Sequence, residues 1–107
     1  LPVMNLDVLP TLVTAAGGKP DAAWRLDLNQ PLPLAETFDV VTNFGTSEHV
    51  FDQAQLFRSI HGLTRPGGYM LHAVPHMGGP DHGFYNYHPT FFHDLAAANA
   101  YRVAIGG

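Results

Sequence analysis

The chain has 107 residues and a formal net charge of −4 at pH 7, with 46% hydrophobic and 13% charged residues. This composition can fill one core, so we predict a single domain, or part of one, rather than a disordered segment. The acidic balance excludes a general attraction to nucleic acids or anionic membranes, and no apolar run reaches the roughly 18 residues of a membrane span. Cysteine is absent, which excludes disulfides and thiolate metal ligands and is consistent with a cytoplasmic protein.

Three short elements are predicted before residue 30. Residues 3–9 are apolar enough for a strand, with Asp7 near its carboxyl end. Residues 11–16 are predicted as one or two helical turns that a glycine pair stops. Residues 23–28 are a second predicted strand, which the turn-forming sequence Asn-Gln-Pro ends.

The middle of the chain predicts a buried strand, a polar loop and an amphipathic helix. Residues 38–44 form a nearly continuous apolar run of strand-forming residues, which suits a strand buried on both faces. Residues 45–49 are a polar loop, and Asp52 is the predicted N-cap of the helix, with Gln55 three residues later. The helix carries an apolar stripe at helical spacing, formed by Leu56, Phe57, Ile60 and Leu63.

The remaining chain predicts a strand, a loop, a helix and a strand. A Gly-rich turn precedes a buried strand at residues 69–74, and residues 76–88 form a loop rich in Gly, His and Tyr. Pro89 suits the first turn of a helix that runs to about residue 99. Its predicted buried face consists of Phe91, Phe92, Leu95 and Ala96. Residues 101–105 are the final predicted strand, and this alternation of strands and helices predicts an α/β fold with a mainly parallel sheet.

Polar and aromatic side chains follow several of the predicted strands. In open parallel sheets, ligands bind beyond the carboxyl ends of the strands. Asp7 and residues 27–29, 42–49 and 76–87 occupy these positions. The sequence therefore predicts a small-molecule site at one edge of the sheet.

Four motifs occur in an order that is typical of one family. They are Asp27-Leu-Asn-Gln-Pro-Leu-Pro33, Phe38-Asp-Val-Val41, Glu48-His49 and Arg65-Pro-Gly-Gly68. Over residues 27–75 the chain resembles the class I S-adenosylmethionine-dependent methyltransferases. The resemblance implies a Rossmann-like methyltransferase sheet and methyl transfer from S-adenosylmethionine to a small-molecule acceptor, such as a sugar or another metabolite.

The resemblance also implies a set of cofactor-binding residues. Asp7 would hydrogen-bond the ribose, because one carboxylate can accept from two hydroxyls. Asp27 and Leu28 would lie against the adenine.

The loop after the strand at residues 38–44 would hold the methionine part of the cofactor. By resemblance, Asn43, Phe44 and Gly45 would flank that part, while Glu48 and His49 would orient the loop. Read from the residues alone, Glu48 and His49 could instead be an acid/base pair, although a brace before the helix is the favoured interpretation.

The glycine-rich cofactor loop that follows the first strand in this family is missing from the chain. Three glycine pairs do not qualify, because none lies between an apolar strand and a long helix: Gly17-Gly18, Gly67-Gly68 and Gly78-Gly79. The chain also begins without an initiator methionine or a basic leader, so we expect Leu1 to be an interior residue of a longer protein. We therefore predict an N-terminally truncated domain that binds the cofactor weakly or not at all. The strands at residues 3–9 and 38–44 must then pair directly, or the core stays open.

Candidate catalytic residues lie in the loop where such folds contact their substrate. Methyl transfer from a sulfonium needs no metal, and the protein mainly supplies proximity and alignment. A base is added when the acceptor is a hydroxyl or a carbon acid. His76, His82 and Tyr85 are the predicted catalytic residues, with Asp81 and His88 as further candidates. For each of them, a role in ordering the loop is the alternative.

Other functions remain open at this stage. One is a methyltransferase-like module that has lost catalysis and serves binding or assembly. Another is a His-rich metal-dependent hydrolase, since the chain has seven His. No metal site is predicted, however, because no sharp ligand spacing occurs among His72, His76, His82, His88 and His93. His72 lies inside a strand and is predicted to be a core or interface histidine. Nucleotide-sugar or NAD-type Rossmann enzymes also remain possible, because the missing loop is what would distinguish them.

Overall fold

The computed structural model describes residues 3–7, 12–15, 23–77 and 80–104. Five strands and two α-helices lie in these ranges. The strands are β1 Val3–Asp7, β2 Leu12–Ala15, β3 Ala23–Arg25, β4 Phe38–Phe44 and β5 Thr64–Ala73, and the helices are α1 Gln53–Leu63 and α2 Pro89–Ala98. A 3₁₀ turn at Ser47–His49 lies between β4 and α1. Among the described residues, neither helix has the length and apolar character needed to cross a bilayer.

The five strands form one sheet in the order β3-β2-β1-β4-β5. β1, β4 and β5 are parallel to one another, whereas β2 runs antiparallel to both β1 and β3. The predicted α/β class is confirmed. The sheet is mixed rather than mainly parallel, because its amino-terminal part is an antiparallel meander.

The helical turns predicted for residues 11–16 are wrong, because residues 12–15 form β2. Val13 and Thr14 are β-branched and fit a pleated strand better than a helix. A segment of this length also forms too few helical hydrogen bonds to offset the unfavourable free energy of helix nucleation. Pairing with β1 on one side and β3 on the other gives it cross-strand hydrogen bonds instead.

β1 and β4 are direct neighbours in the sheet. Val3 lies opposite Val40, and Leu6 lies opposite Asn43. This pairing is the one expected for a chain that has no strand between these two. It also places Asp7 level with Phe44, so that both residues end their strands at the same edge.

Helix α1 packs its apolar stripe on the sheet. Leu56, Ile60 and Leu63 are buried in a cluster that includes Met4 and Val41. Phe57 is only partly buried and lies at the margin of this cluster. The predicted stripe is therefore confirmed, with Phe57 as its least buried member.

The predicted N-cap of α1 is also confirmed. The Oδ1 atom of Asp52 accepts a hydrogen bond from the backbone N–H of Gln55, over 3.0 Å. This bond satisfies one of the backbone donors that the first helical turn leaves without a partner.

Strand β5 begins earlier than predicted, at Thr64 rather than near residue 69. Thr64 pairs with Phe38, and the next pair along the strands is Tyr69 with Val40. The Arg-Pro-Gly-Gly turn is thus an insertion within the strand, a bulge that leaves the ladder intact on both sides. Arg65 within this bulge forms an ion pair with Asp39.

Replacing Gly68 with alanine is expected to lower the free energy of unfolding by about 1–3 kcal/mol, because the bulge has no room for a Cβ. That atom would lie 2.7 Å from the backbone O of Asp39 and 2.9 Å from that of Arg65. Gly62→Ala is the matched control, because a Cβ at this position of α1 has nothing within 4 Å. The control is expected to stabilise the protein by roughly 0.5–1 kcal/mol, since alanine favours a helix more than glycine does. Denaturant unfolding measures both, and a loss of the same size in both variants would contradict the steric argument.

Helix α2 begins at Pro89, as predicted. Ala96 is its buried residue, while Phe91, Phe92 and Leu95 are partly buried. The predicted face is therefore confirmed as the packed side of the helix.

The strand predicted for residues 101–105 is wrong over residues 101–104, and Ile105 lies outside the described residues. Ala100 has φ +59°, and the backbone N–H of Tyr101 donates to Ala96 O over 2.9 Å. A left-handed residue followed by a bond back into the last turn is a helix C-cap. The chain then returns toward α1, where the Tyr101 hydroxyl hydrogen-bonds the His61 ring.

Candidate functional site

The carboxyl ends of β1, β4 and β5 meet at one edge of the sheet, as the parallel pairing requires. The 3₁₀ turn at Ser47–His49 and the loop at residues 80–88 lie at this edge. Several polar side chains here are buried, which is costly unless each polar atom finds a partner. The hydrogen bonds of these side chains therefore show how this edge of the sheet is held in place.

Asn43 ties the end of β4 to the 3₁₀ turn and to β5. Its side chain is fully buried, and its Oδ1 atom accepts from the backbone N–H of Ser47 over 3.0 Å. Its Nδ2 atom donates to Ser47 Oγ over 2.9 Å and to His72 Nδ1 over 3.0 Å. The backbone N–H of Ser47 can only donate, so the atom that it contacts must be the oxygen of the Asn43 amide.

His72 is consequently held in its neutral form. Its Nδ1 atom accepts from Asn43, which leaves the ring proton on Nε2. The ring stacks on Phe92 at a centroid distance of 4.7 Å and lies against Phe57. Burial lowers the pKa of His72 from its usual 6.5 to about 4. His72 is partly buried on β5, which is consistent with the predicted core or interface histidine.

Glu48 is the buried acid of the site, with a side chain only 1% exposed. Its Oε2 atom lies 3.0 Å from His82 Nε2 and 3.8 Å from His49 Nε2. Its Oε1 atom is buried and has no hydrogen-bond partner among the described residues. Gly45 turns the chain beside it with φ +70°, a conformation that favours glycine.

The loop that carries His82 is fastened to Glu48. The backbone N–H of Phe84 donates to Glu48 O over 2.7 Å. A Cβ at Gly83 would lie 2.9 Å from the same oxygen, so the loop approaches this closely only because residue 83 is glycine. The Tyr85 hydroxyl donates to Phe51 O over 2.7 Å and fastens the loop at a second point.

Tyr87 and Gln53 support the same edge from beneath. Gln53 Nε2 donates to Ser47 O and Val50 O, and its Oε1 atom accepts from the Tyr87 hydroxyl over 2.5 Å. Burial raises the pKa of Tyr87, so this hydroxyl keeps its proton as a donor. His76 Nδ1 in turn donates to the backbone O of Tyr87 over 2.9 Å.

Exposed apolar side chains surround the polar groups. Phe51 is 69% exposed and Phe84 65% exposed, and their rings meet edge to face at 5.8 Å. Phe44, at the end of β4, and Met77, after β5, are exposed as well. An apolar rim around a few convergent polar groups is the usual character of a small-molecule site.

The structure brings four of the predicted site residues together around the 3₁₀ turn at Ser47–His49. Asn43, Glu48 and His49 belong to the predicted cofactor set, and His82 to the predicted catalytic set. His76 and Tyr85 make loop-fastening bonds nearby. These positions were predicted; the roles assigned to them stay predictions.

Phe44 and Gly45 follow Asn43 at the same strand end, whereas Asp27 and Leu28 lie in different surroundings. Asp7 ends β1 at the same edge, and its side chain lies outside the described residues. Asp27 is exposed, and its Oδ1 atom accepts from the backbone and side-chain N–H groups of Asn29. Asn29 Oδ1 accepts from the backbone N–H of Asp52, which joins this segment to the start of α1. Leu28 is buried in the core at 1% exposure, and its predicted contact with adenine stays a prediction.

Sequence reasoning missed Ser47 and Gly83 as members of the site. Ser47 stands four residues after Asn43, a spacing at which a side-chain amide can reach back across a tight turn. Gly83 carries no signal in the sequence, because its role depends on a contact with Glu48, 35 positions earlier in the chain.

Three side chains at the site could hold a metal ion. Glu48, His49 and His82 each offer one ligand atom, and these atoms lie within 4.8 Å of one another. The rings of the two histidines are 4.9 Å apart between centroids.

Comparison with known proteins identifies the family. No curated protein and no solved structure matches the chain. The sequence model of a family described as "Methyltransferase domain" matches residues 6–100, which is most of the chain. The match includes all four motifs and the whole of the site described above. The chain therefore belongs to this methyltransferase-domain family, and its resemblance to class I methyltransferases is confirmed.

Proposed function

We propose that the protein transfers a methyl group from S-adenosylmethionine to a small-molecule acceptor. The observation that carries the proposal is the buried Asn43–Ser47 network at the carboxyl end of β4, in a chain of the methyltransferase family. This network fixes the backbone at the strand end, where an open parallel sheet binds its ligand. A sugar or another metabolite is the proposed class of acceptor.

The residues at the edge fit such a cofactor. Asp7 and Phe44 end adjacent strands at the same edge of the sheet, and the Phe44 ring is exposed there. Gly45 follows Phe44 in a left-handed conformation, with φ +70°. A ribose bound by Asp7 and a methionine part beside residues 43–45 would fit this arrangement.

When bound, S-adenosylmethionine supplies an electrophilic methyl group whose departure leaves a neutral thioether. The chain has to align the acceptor with that group and receive the acceptor's proton. His82 is the best-supported base. Its Nε2–H donates to Glu48 Oε2, which leaves Nδ1 as the proton acceptor and fixes the direction of the ring.

Tyr85 and His76, two of the other candidate bases, are better explained as positioning residues. Tyr85 uses its hydroxyl proton to hold Phe51 O, and His76 uses Nδ1–H to hold Tyr87 O. Each of these bonds fastens one part of the loop that carries His82.

Asp7→Ala is expected to weaken the binding of S-adenosylhomocysteine, the product form of the cofactor, by about 10- to 100-fold. That range corresponds to the roughly 1.5–3 kcal/mol of hydrogen bonds to a charged group. Titration calorimetry on the full-length protein measures it. Asp94→Ala is the control, because Asp94 is an exposed acid on α2. If the Asp7 variant and the wild type bound S-adenosylhomocysteine equally well, Asp7 would not contact the cofactor. If the wild type did not bind it at all, the proposed cofactor would be wrong.

A further inference from the structure

We infer that Glu48, His49 and His82 form a binding site for a divalent transition-metal ion, with zinc as the ion that best suits the ligands. The site lies at the carboxyl edge of the sheet and keeps one coordination position open to solvent. It needs no bound cofactor, so the inference goes beyond the proposed methyl transfer and is tested separately from it.

The distances between the ligand atoms suit a tetrahedral ion. Zinc bonds of about 2.0–2.1 Å to nitrogen and oxygen require ligand atoms roughly 3.3 Å apart. Glu48 Oε2 lies 3.0 Å from His82 Nε2 and 3.8 Å from His49 Nε2, and all three ligand atoms lie within 4.8 Å of one another, so the longer separations have to shorten when an ion binds. Small rotations of the two histidine rings close the site, because both rings are partly exposed while the carboxylate is fixed.

The buried carboxylate supplies the reason for a cation. Glu48 is 1% exposed, and one of its oxygens has no hydrogen-bond partner among the described residues. An ionised carboxylate in this position is costly without a counter-charge. A dication bound at the carboxylate provides that charge, and the two imidazoles complete its coordination.

The backbone around the site is arranged before any ion binds. The Phe84 N–H bond to Glu48 O and the close approach of Gly83 hold the loop against the 3₁₀ turn. His82 therefore reaches Glu48 although the two are far apart in sequence. A set of ligands fixed in this way loses little entropy on binding an ion.

The exposure of the ligands leaves a path for entry and an open position. The His82 side chain is 51% exposed and that of His49 is 30% exposed, whereas Glu48 lies beneath them. Three protein ligands of the His₂Glu type with a free fourth position are typical of zinc sites that act on a bound molecule.

The ligand chemistry selects the ion. Two imidazoles disfavour magnesium and calcium, which take oxygen ligands. Zinc, copper and nickel all accept imidazole, but copper(II) and nickel(II) favour square-planar or tetragonal geometry, whereas zinc favours the tetrahedral geometry argued for this site. We therefore expect zinc and its neighbours to bind and magnesium not to bind.

Metal binding has a consequence for the proposed reaction, and this consequence rests on the proposed function. A His82 that ligates zinc through Nε2 carries its proton on Nδ1 and cannot act as the base. Zinc is therefore expected to inhibit methyl transfer if His82 is the base.

The experiment is a zinc titration of the full-length, tag-free protein after dialysis against a chelator, at pH 7 and without cofactor. Competition with a chromophoric chelator gives the affinity, and cobalt substitution gives the geometry through its visible absorption. We expect one ion per chain in a four-coordinate site, with magnesium unable to displace it. His82→Gln, on an exposed side chain that leaves the fold intact, is expected to weaken binding at least tenfold. Glu48→Gln and His49→Gln are expected to do the same.

His93→Gln is the matched control, because His93 is an exposed histidine outside the cluster. Unchanged binding in His82→Gln, or the same loss in His93→Gln, would show that zinc binds elsewhere and overturn the inference. The inference would also be overturned if the wild-type protein bound S-adenosylhomocysteine but no zinc. Circular dichroism on each variant separates loss of the site from loss of the fold.

Discussion

Replacing Asn43 with alanine is expected to lower the free energy of unfolding by about 3 kcal/mol, because the change leaves several buried polar groups without partners. The buried N–H and hydroxyl of Ser47 each lose a bond to the Asn43 amide, and His72 Nδ1 loses its donor. Each buried group left unpaired costs roughly 1–3 kcal/mol, and the three share one network, so their losses do not simply add. Denaturant unfolding of the variant and the wild type gives the difference directly.

Asn86→Ala is the matched control for this change. Asn86 is exposed in the loop that follows β5, and its replacement is expected to change stability by less than about 0.5 kcal/mol. Equal stability of the Asn43 variant and the wild type would mean that water or a shifted turn replaces the lost bonds. The network would then not be what fixes the strand end.

Asn43→Asp sharpens the interpretation, because it keeps the shape of the side chain and removes its donor. A carboxylate can still accept from Ser47 N, but it faces an acceptor at His72 Nδ1. The variant regains that bond when His72 carries a proton on Nδ1, either as the other neutral tautomer or as the imidazolium, and a carboxylate favours the charged form. We therefore expect its deficit relative to the wild type to shrink as the pH falls.

The parts of the fold that the sequence predicted well are those set by local chemistry. The N-cap at Asp52 depends on a bond to Gln55, and the stripe of α1 depends on residues three and four apart. The strand at Phe38–Phe44 was predicted with its observed bounds, because a short, continuous apolar run bounded by polar residues is typical of a buried strand. Such signals are contained within a dozen residues.

The parts that were predicted wrongly depend on distant partners. Residues 12–15 are a strand because β1 and β3 lie on either side of them, and the two β-branched residues of this short segment favour a strand only weakly by themselves. Tyr101 has the apolar character of a strand residue but bonds back to α2 and to His61. Tertiary contacts override propensity in both segments.

The candidate site shows the same division. Glu48 and His49 are adjacent in sequence, so their pairing was visible as a motif. His82 joins them only through the loop closure made by Phe84, and Glu48 stands 34 positions before it. A histidine-rich loop predicted the kind of residue that would be present, but not which histidine would meet the acid.

Acidification is expected to destabilise the protein through His72, by up to about 3 kcal/mol between pH 6.5 and pH 4. Burial lowers the pKa of His72 from its usual 6.5 in the unfolded chain to about 4 in the folded protein. Between these values the unfolded chain binds a proton that the folded protein does not, so stability falls as the pH falls. The contribution is fully present above about pH 6.5, is lost progressively toward pH 4, and changes little below that.

The surroundings of His72 explain why the folded protein resists protonation. Phe92 stacks on one side of the ring, Phe57 lies close by, and the polar contact that the ring makes is the Asn43 donor on Nδ1. Protonation of Nδ1 would set two donors against each other and break the tie between β4 and β5. Loss of this tie would also release Ser47 and the 3₁₀ turn, so the candidate site is expected to loosen over the same range of pH.

His72→Gln tests this origin of the pH dependence, because glutamine can accept the same hydrogen bond but does not titrate. Denaturant unfolding at several pH values between 4 and 7 is expected to give a flatter profile for the variant than for the wild type. Ile60→Val is the control for a general loss of stability, since it removes one buried methyl group at a cost of roughly 0.5–1.5 kcal/mol and leaves His72 in place. The free energy of unfolding of the Ile60→Val control should be lower than that of the wild type by the same amount at every pH. If His72→Gln kept the slope of the wild type, another group would have to account for the acid sensitivity, and the neutral, buried state of His72 would not be its cause.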